Sequence, residues 1–117
     1  MHPIWVLVNC NSIKEAHKIG DKVLGKRLGS CFDIFERNLA TYFWPPKSGK
    51  KETATGALLI IETMEKKYKK LHSFVKSIHS DELPFIGYIE IKGTEGAYNN
   101  WMKGELKYQS IPLLLWV

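Results

Sequence analysis

An α+β domain with the element order βαββαβ is the architecture this sequence predicts, on three observations. Residues 4–8 and 57–61 are unbroken apolar runs, the pattern of strands inside a sheet. Two stretches, one behind Ser12 and one over residues 64–78, carry apolar side chains at helical spacing. Between them, residues 31–44 are dense in aromatic and β-branched residues and run into Pro45-Pro46, which reads as one arm of a long hairpin.

The first strand, residues 4–8, is apolar on both faces. Ser12-x-x-Glu15 follows as a capping box, in which the hydroxyl accepts a backbone N–H and the carboxylate reaches back to another. Ile13, Ala16, Ile19, Val23, Leu24 and Leu28 form the stripe of the first helix, and Gly29 is placed to stop it. Residues 31–44 predict a long, bulged strand, and residues 45–51 a turn with Lys47, Lys50 and Lys51 at its tip. This hairpin is longer than a small domain needs, so its tip should project. Thr63 is positioned to cap the second helix, whose stripe is Met64, Tyr68, Leu71, Phe74, Val75 and Ile78. Leu83-Pro84 breaks that helix, and residues 85–91 form a fourth strand. Gly93-Thr94-Glu95 opens a third helix containing Tyr98, Trp101 and Met102. Residues 110–117 read as a final edge strand, with Pro112 limiting which N–H groups pair. Two βαβ halves joined by a hairpin make the split, ferredoxin-like sandwich, with helices on one face of an antiparallel sheet. The extra helix and strand at the C-terminus extend it.

The 117 residues suit one domain, residues 1–117, and are too few for two. With 44% hydrophobic and 25% charged residues the composition is globular and argues against disorder. The net charge of +5 could suggest nucleic acid or an anionic partner, but lysines on the outer faces of helices are the stronger reading. Nucleic acid is disfavoured, because the aromatic run of an RNA-recognition domain, which shares this topology, is missing. Cys10 and Cys31 form no CxxC pair, so two reduced thiols in the cytoplasm are expected. The apolar run near the N-terminus is too short for a signal peptide or a membrane span. There is no phosphate loop, nucleophile elbow, HExxH or cofactor fingerprint, and no enzymatic activity is expected.

Three constellations could carry chemistry. His79, Asp81 and Glu82 place an imidazole and two carboxylates within four positions, a set able to hold a divalent ion. The competing reading is that His79 terminates the second helix, where positive charge is favoured. Cys31 offers a thiol suited to copper(I) or zinc, or else is a small hydrophobe at the start of a strand, and Cys10, at the end of the first strand, has the same two readings. The basic tip could meet a phosphate or acidic partner, or be a solvated loop.

Five stretches in order, over residues 6–101, resemble the CutA family of divalent-cation tolerance proteins. Lys26-Arg27-Leu28-Gly29-Ser30-Cys31 resembles the family's basic residue followed by Leu-Ala-Ala-Cys, and Thr41-Tyr42-Phe43-Trp44 its Ser-x-Tyr-x-Trp strand. Leu58-Leu59-Ile60-Ile61-Glu62-Thr63 resembles the apolar strand ending in Lys-Thr. His79-Ser80-Asp81-Glu82-Leu83-Pro84 resembles His-Pro-Tyr-Glu-x-Pro, and Tyr98-x-x-Trp101 matches the family's last helix. Ser80 and Asp81, Asn9-Cys10 in place of Thr-Thr, and Pro45-Pro46 in place of Glu-Gly mark a divergent member. The resemblance implies a homotrimer whose long hairpins pair across subunits. It implies tolerance of copper and other divalent cations, with no obligatory cofactor and no catalysed reaction. By motif position it assigns His79, Glu82 and Cys31 as metal-site residues, with Asp81 beside them. A family cysteine linked to copper in some bacterial members aligns near Val8. Similarity to PII signalling proteins implies the alternatives of a small-anion or nucleotide-binding module or a purely structural assembly unit.

Overall fold

The computed structural model describes residues 2–107. The elements run β1 (Pro3–Cys10), α1 (Ile13–Gly25), β2 (Cys31–Phe43), β3 (Lys51–Met64), a 3-10 turn (Glu65–Lys67), α2 (Tyr68–Ile78), β4 (Ile86–Glu90) and α3 (Gly96–Lys107). One antiparallel sheet has the order β2-β3-β1-β4, the ferredoxin-like arrangement. The anticipated strand over residues 110–117 lies outside the described residues.

The sheet has two differently covered faces. Ile4, Val6, Val8 and Cys10 of β1 pair with Thr63, Ile61, Leu59 and Ala57 of β3, and all are buried. They meet Ala16, Ile19 and Val23 of α1 and Leu71 and Val75 of α2 in one core. The alternate residues point the other way, as the two-residue period of a strand requires. Only at one end does α3 cover that second face, where Met102 and Leu106 bury against Met64. Elsewhere it stays open and apolar: Trp5 is 38% exposed, Phe35 54% and Ile89 48%. The unbroken apolar run of the first strand therefore has one face in the core and one without a partner among the described residues.

The hairpin projects as expected. A break in register between Arg37 and Ala40 marks the bulge, after which Ala40–Ala54 to Phe43–Lys51 pair beyond the end of the other strands. The molecule measures 58 × 36 × 23 Å with a radius of gyration of 16.3 Å. A compact chain of this length would have about 13 Å, and the hairpin accounts for the elongation.

Two boundaries differ from the sequence reading. Thr63 does not cap α2: it is a fully buried β3 residue whose hydroxyl donates to the Leu28 carbonyl at 2.7 Å. The strand continues through Met64, the 3-10 turn follows, and α2 begins at Tyr68 with no side-chain cap. Nor does Gly29 stop α1. Lys26 is the C-cap, and Arg27 takes the left-handed conformation (φ 57°) that usually falls to glycine. Arg27 N–H bonds the Leu24 carbonyl and Leu28 N–H the Val23 carbonyl, the paired bonds of a Schellman ending. Gly29 serves a different need: a Cβ there would lie 2.5 Å from Ile61 Cγ2.

Candidate functional site

Strand direction decides which candidates can meet. The end of β1, the hairpin tip and the loop after α2 lie at one end of the sheet. The start of β2 lies at the other, since Cys31 pairs with Glu62 while Cys10 pairs with Ala57. His79 is thus brought to Cys10 and Glu15, and Cys31 is not.

Cys10, Glu15 and His79 each offer one ligand atom, and the three lie within 4.8 Å of one another. Each is placed by local structure. Cys10 is the last residue of β1 and points into the helical core. Glu15 sits in the first turn of α1, where Ser12 Oγ accepts its N–H at 3.0 Å. Its carboxylate reaches back as a capping box should, but to Asn11 N–H (2.9 Å). The other oxygen accepts Ser80 N–H at 3.0 Å and so ties the loop after α2 to the start of α1. His79 is the C-cap of α2, its N–H bonded to the Val75 carbonyl. The helix-ending role read from the sequence is real, and it is filled by the backbone. The ring turns inward instead, with Nε2 2.7 Å from the Asn9 carbonyl and Nδ1 accepting Asp81 N–H at 3.0 Å. This pairing requires the tautomer with the proton on Nε2.

Burial raises the Glu15 carboxyl, but the hydrogen bonds from Asn11 and Ser80 outweigh it, and the net position is below the usual value. Burial pushes the Cys10 thiol up to about 12, with Glu15 adding to the effect and Arg37 opposing it. Arg37, at the bulge of β2, crosses Gly56, where a Cβ would sit 2.5 Å from both Arg37 Nη2 and the Cys10 carbonyl oxygen. Its Nε is buried with no hydrogen-bond partner. Beside the cluster opens a groove of about 680 Å³ lined by Asn11, Arg37, Tyr42, Trp44, Asp81 and Glu82, among others.

The other predicted residues are placed as follows. Asp81 borders the cluster and accepts Asn11 Nδ2 at 2.9 Å. Glu82 is exposed on the groove. Cys31 lies on the open face at the far end, beside Glu62, and burial followed by the Glu62 and Asp33 charges raises its thiol. There Trp5 Nε1 donates to Glu62 at 3.2 Å and Tyr98 donates its hydroxyl to the same carboxylate. That hydrogen bond, with burial, raises the phenol. Glu15 was passed over in the sequence as a cap, and Cys10, open there to the same two readings as Cys31, was left out of the site. The βαββαβ order held the signal, because it puts the end of the first strand beside the end of the second helix.

Comparison with known proteins gives a consistent picture. A family model described as CutA1 divalent ion tolerance protein matches residues 4–105. A zebrafish (Danio rerio) protein named CutA homolog is 31% identical over 97 residues, covering 83% of this chain and 63% of its own. The divalent-cation tolerance protein CutA of Archaeoglobus fulgidus is 30% identical over 98 residues, covering 84% of this chain and 92% of its own. A solved structure described as the periplasmic divalent cation tolerance protein CutA from that organism superposes with a TM-score of 0.84 at 27% identity, covering 90% of this chain and 99% of that one. No helix among the described residues is long and apolar enough to cross a membrane. From the match spanning nearly the whole described chain, the close superposition and the five ordered motifs, the chain belongs to the CutA1 divalent ion tolerance family.

Proposed function

We propose that the protein acts as a homotrimer that binds a divalent metal ion, copper or a similar borderline cation, without catalysing a reaction. The observation that carries the metal reading is the nitrogen, oxygen and sulfur donor set of His79, Glu15 and Cys10. Borderline metals favour such mixed donors over the all-oxygen sets of magnesium or calcium. Ligand atoms 4.8 Å apart at most need to close by about 1 Å to surround one ion, given bonds of ~2.0–2.3 Å. Rotation of the half-buried Glu15 and His79 side chains toward the buried Cys10 supplies that movement. Asp81 and Glu82 would add negative charge at the rim.

The same contacts set the conditions. A metal must displace the Cys10 proton and take a ring nitrogen of His79 from its present hydrogen bond, so affinity rises with pH. Titration with copper(II) and zinc(II) tests this, comparing wild type with His79→Ala and Glu15→Gln, with assembly checked in each. Binding is expected to weaken at least tenfold in His79→Ala. Equal affinity in an intact assembly would remove His79 from the site.

The trimer is supported by the open apolar face, by the outer edge of β2 and by the aromatic hairpin, features that a lone chain would leave in water. Two free thiols at opposite ends of the sheet support a reducing, cytoplasmic setting. A second reading, a small-anion module like the PII proteins, is favoured by one observation: the unpartnered Arg37 Nε beside the groove. Loss of anion binding on Arg37→Ala, with metal binding unchanged, would favour it over the first.

A further inference from the structure

At the end of the molecule away from the Cys10–Glu15–His79 cluster, a pocket of about 450 Å³ is lined by Lys26, Arg27, Lys66, Lys67, Lys103 and Lys107, with Met64 and Leu106 as its apolar part. Six of the chain's 17 basic residues thus converge on one concavity. They come from three places: the ending of α1, the 3-10 turn and α3. Glu105 offsets part of this charge, pairing with Arg27 Nη1 at 2.9 Å. Lys67 donates to the Leu106 carbonyl at 3.3 Å, and Lys26 sits 4.8 Å from the Phe74 ring centre. Lys66, Lys103 and Lys107 form no ion pair among the described residues. Converging ammonium groups repel one another, and a concave site concentrates their field.

The backbone adds a separate observation. Arg27 occupies the left-handed position at the end of α1, where a side chain is disfavoured and glycine is usual. The chain places glycines at 25 and 29, on either side of it. The left-handed backbone at this helix ending thus carries a side chain whose guanidinium, paired with Glu105, lines the pocket.

The geometry points to a binding site for an oligophosphate, a compact anion with several phosphate groups, in this basic pocket. Lysines act as point-charge partners for phosphate, and a guanidinium adds a planar fork. The volume falls within the range of small-molecule sites, ~300–1,000 Å³. A single phosphate would engage few of the six cations, whereas a chain of them spans the pocket. The oligophosphate could be inorganic or the tail of a nucleotide, and the apolar part contributed by Met64 and Leu106 leaves room for either source.

Isothermal titration of the full chain with sodium tripolyphosphate, ATP, inorganic phosphate and adenosine tests the inference at low and physiological salt. Tripolyphosphate is expected to bind at least tenfold more tightly than phosphate, and salt to weaken it. Equal affinity for ATP would identify the tail as the recognised group, and tighter ATP binding a nucleotide site. Both uphold the inference, whereas adenosine binding as well as ATP would overturn it. The double variant Lys66→Gln/Lys103→Gln is expected to lose about tenfold or more. Arg27→Gly, which suits the backbone there, should lose affinity while staying folded by circular dichroism. The hairpin-tip variant Lys47→Gln/Lys50→Gln/Lys51→Gln, remote from the pocket, should bind tripolyphosphate like wild type. If the tip variant loses as much as the pocket variant, the effect is net charge and the pocket is not a site. Absence of tripolyphosphate binding at millimolar concentration would also overturn it, and would leave the metal reading untouched.

Discussion

Glu15 ties two segments to the start of α1 through one carboxylate: it accepts the Asn11 N–H after β1 and the Ser80 N–H of the loop after α2, while its own N–H is capped by Ser12. Its net pKa lies below the usual value, so the ionised form stabilises the fold above the unfolded value of ~4.3. That contribution fades as pH falls through the lower, folded value. Glu15→Gln is therefore expected to cost about 1 kcal/mol at neutral pH, and the gap from wild type should close in acid. Urea denaturation at pH 7 and pH 3.5 measures both. A constant gap across that range would show that the charge is not what matters. Beside it the His79 ring is fixed at both nitrogens, so the proposed metal ligation would compete with this structural pin for the same atoms.

At the scale of elements, close approach explains what periodicity alone does not. Gly29 lets the start of β2 lie against Ile61, and Gly29→Ala is expected to destabilise by about 1–3 kcal/mol through the clash with Ile61 Cγ2. The shift in thermal midpoint reads this directly, and an unchanged midpoint would mean that the backbone yields freely. Strand and helix order, the long bulged hairpin and α3 were all legible in the sequence, because apolar runs, helical stripes and the proline turn are local signals. The end of α1 was not. Arg27 adopts a conformation that its side chain disfavours, and Gly29 nearby offered the conventional stop. The start of α2 was misplaced because Thr63 and Met64 suit a cap and a helical stripe, while tertiary packing holds both in β3. Of the candidate site, His79 was readable from its motif. Glu15 and Cys10 are remote from it in sequence, and they join it only once strand direction is known.

For the whole molecule, the sheet has one face sealed by α1 and α2 and one left largely open, with Trp5, Phe35 and Ile89 on the open side. A trimer that packs these faces and pairs the hairpins would remove that apolar surface from water. Light scattering is expected to return three times the 13.5 kDa subunit mass, and charged substitution at Phe35 (Phe35→Glu) to break the particle into smaller species. Persistence of the trimer in Phe35→Glu would place the interface elsewhere. The central claim is that this assembly carries a metal site in each subunit. The most direct measurement is metal content of the untagged protein after copper(II) or zinc(II) loading and desalting at pH 7.5, with particle mass recorded on the same sample. The account predicts one tightly held ion per subunit in wild type and a clear loss in Cys10→Ser and His79→Ala. An intact assembly that retains no metal, or retains the same amount in both variants, would contradict it.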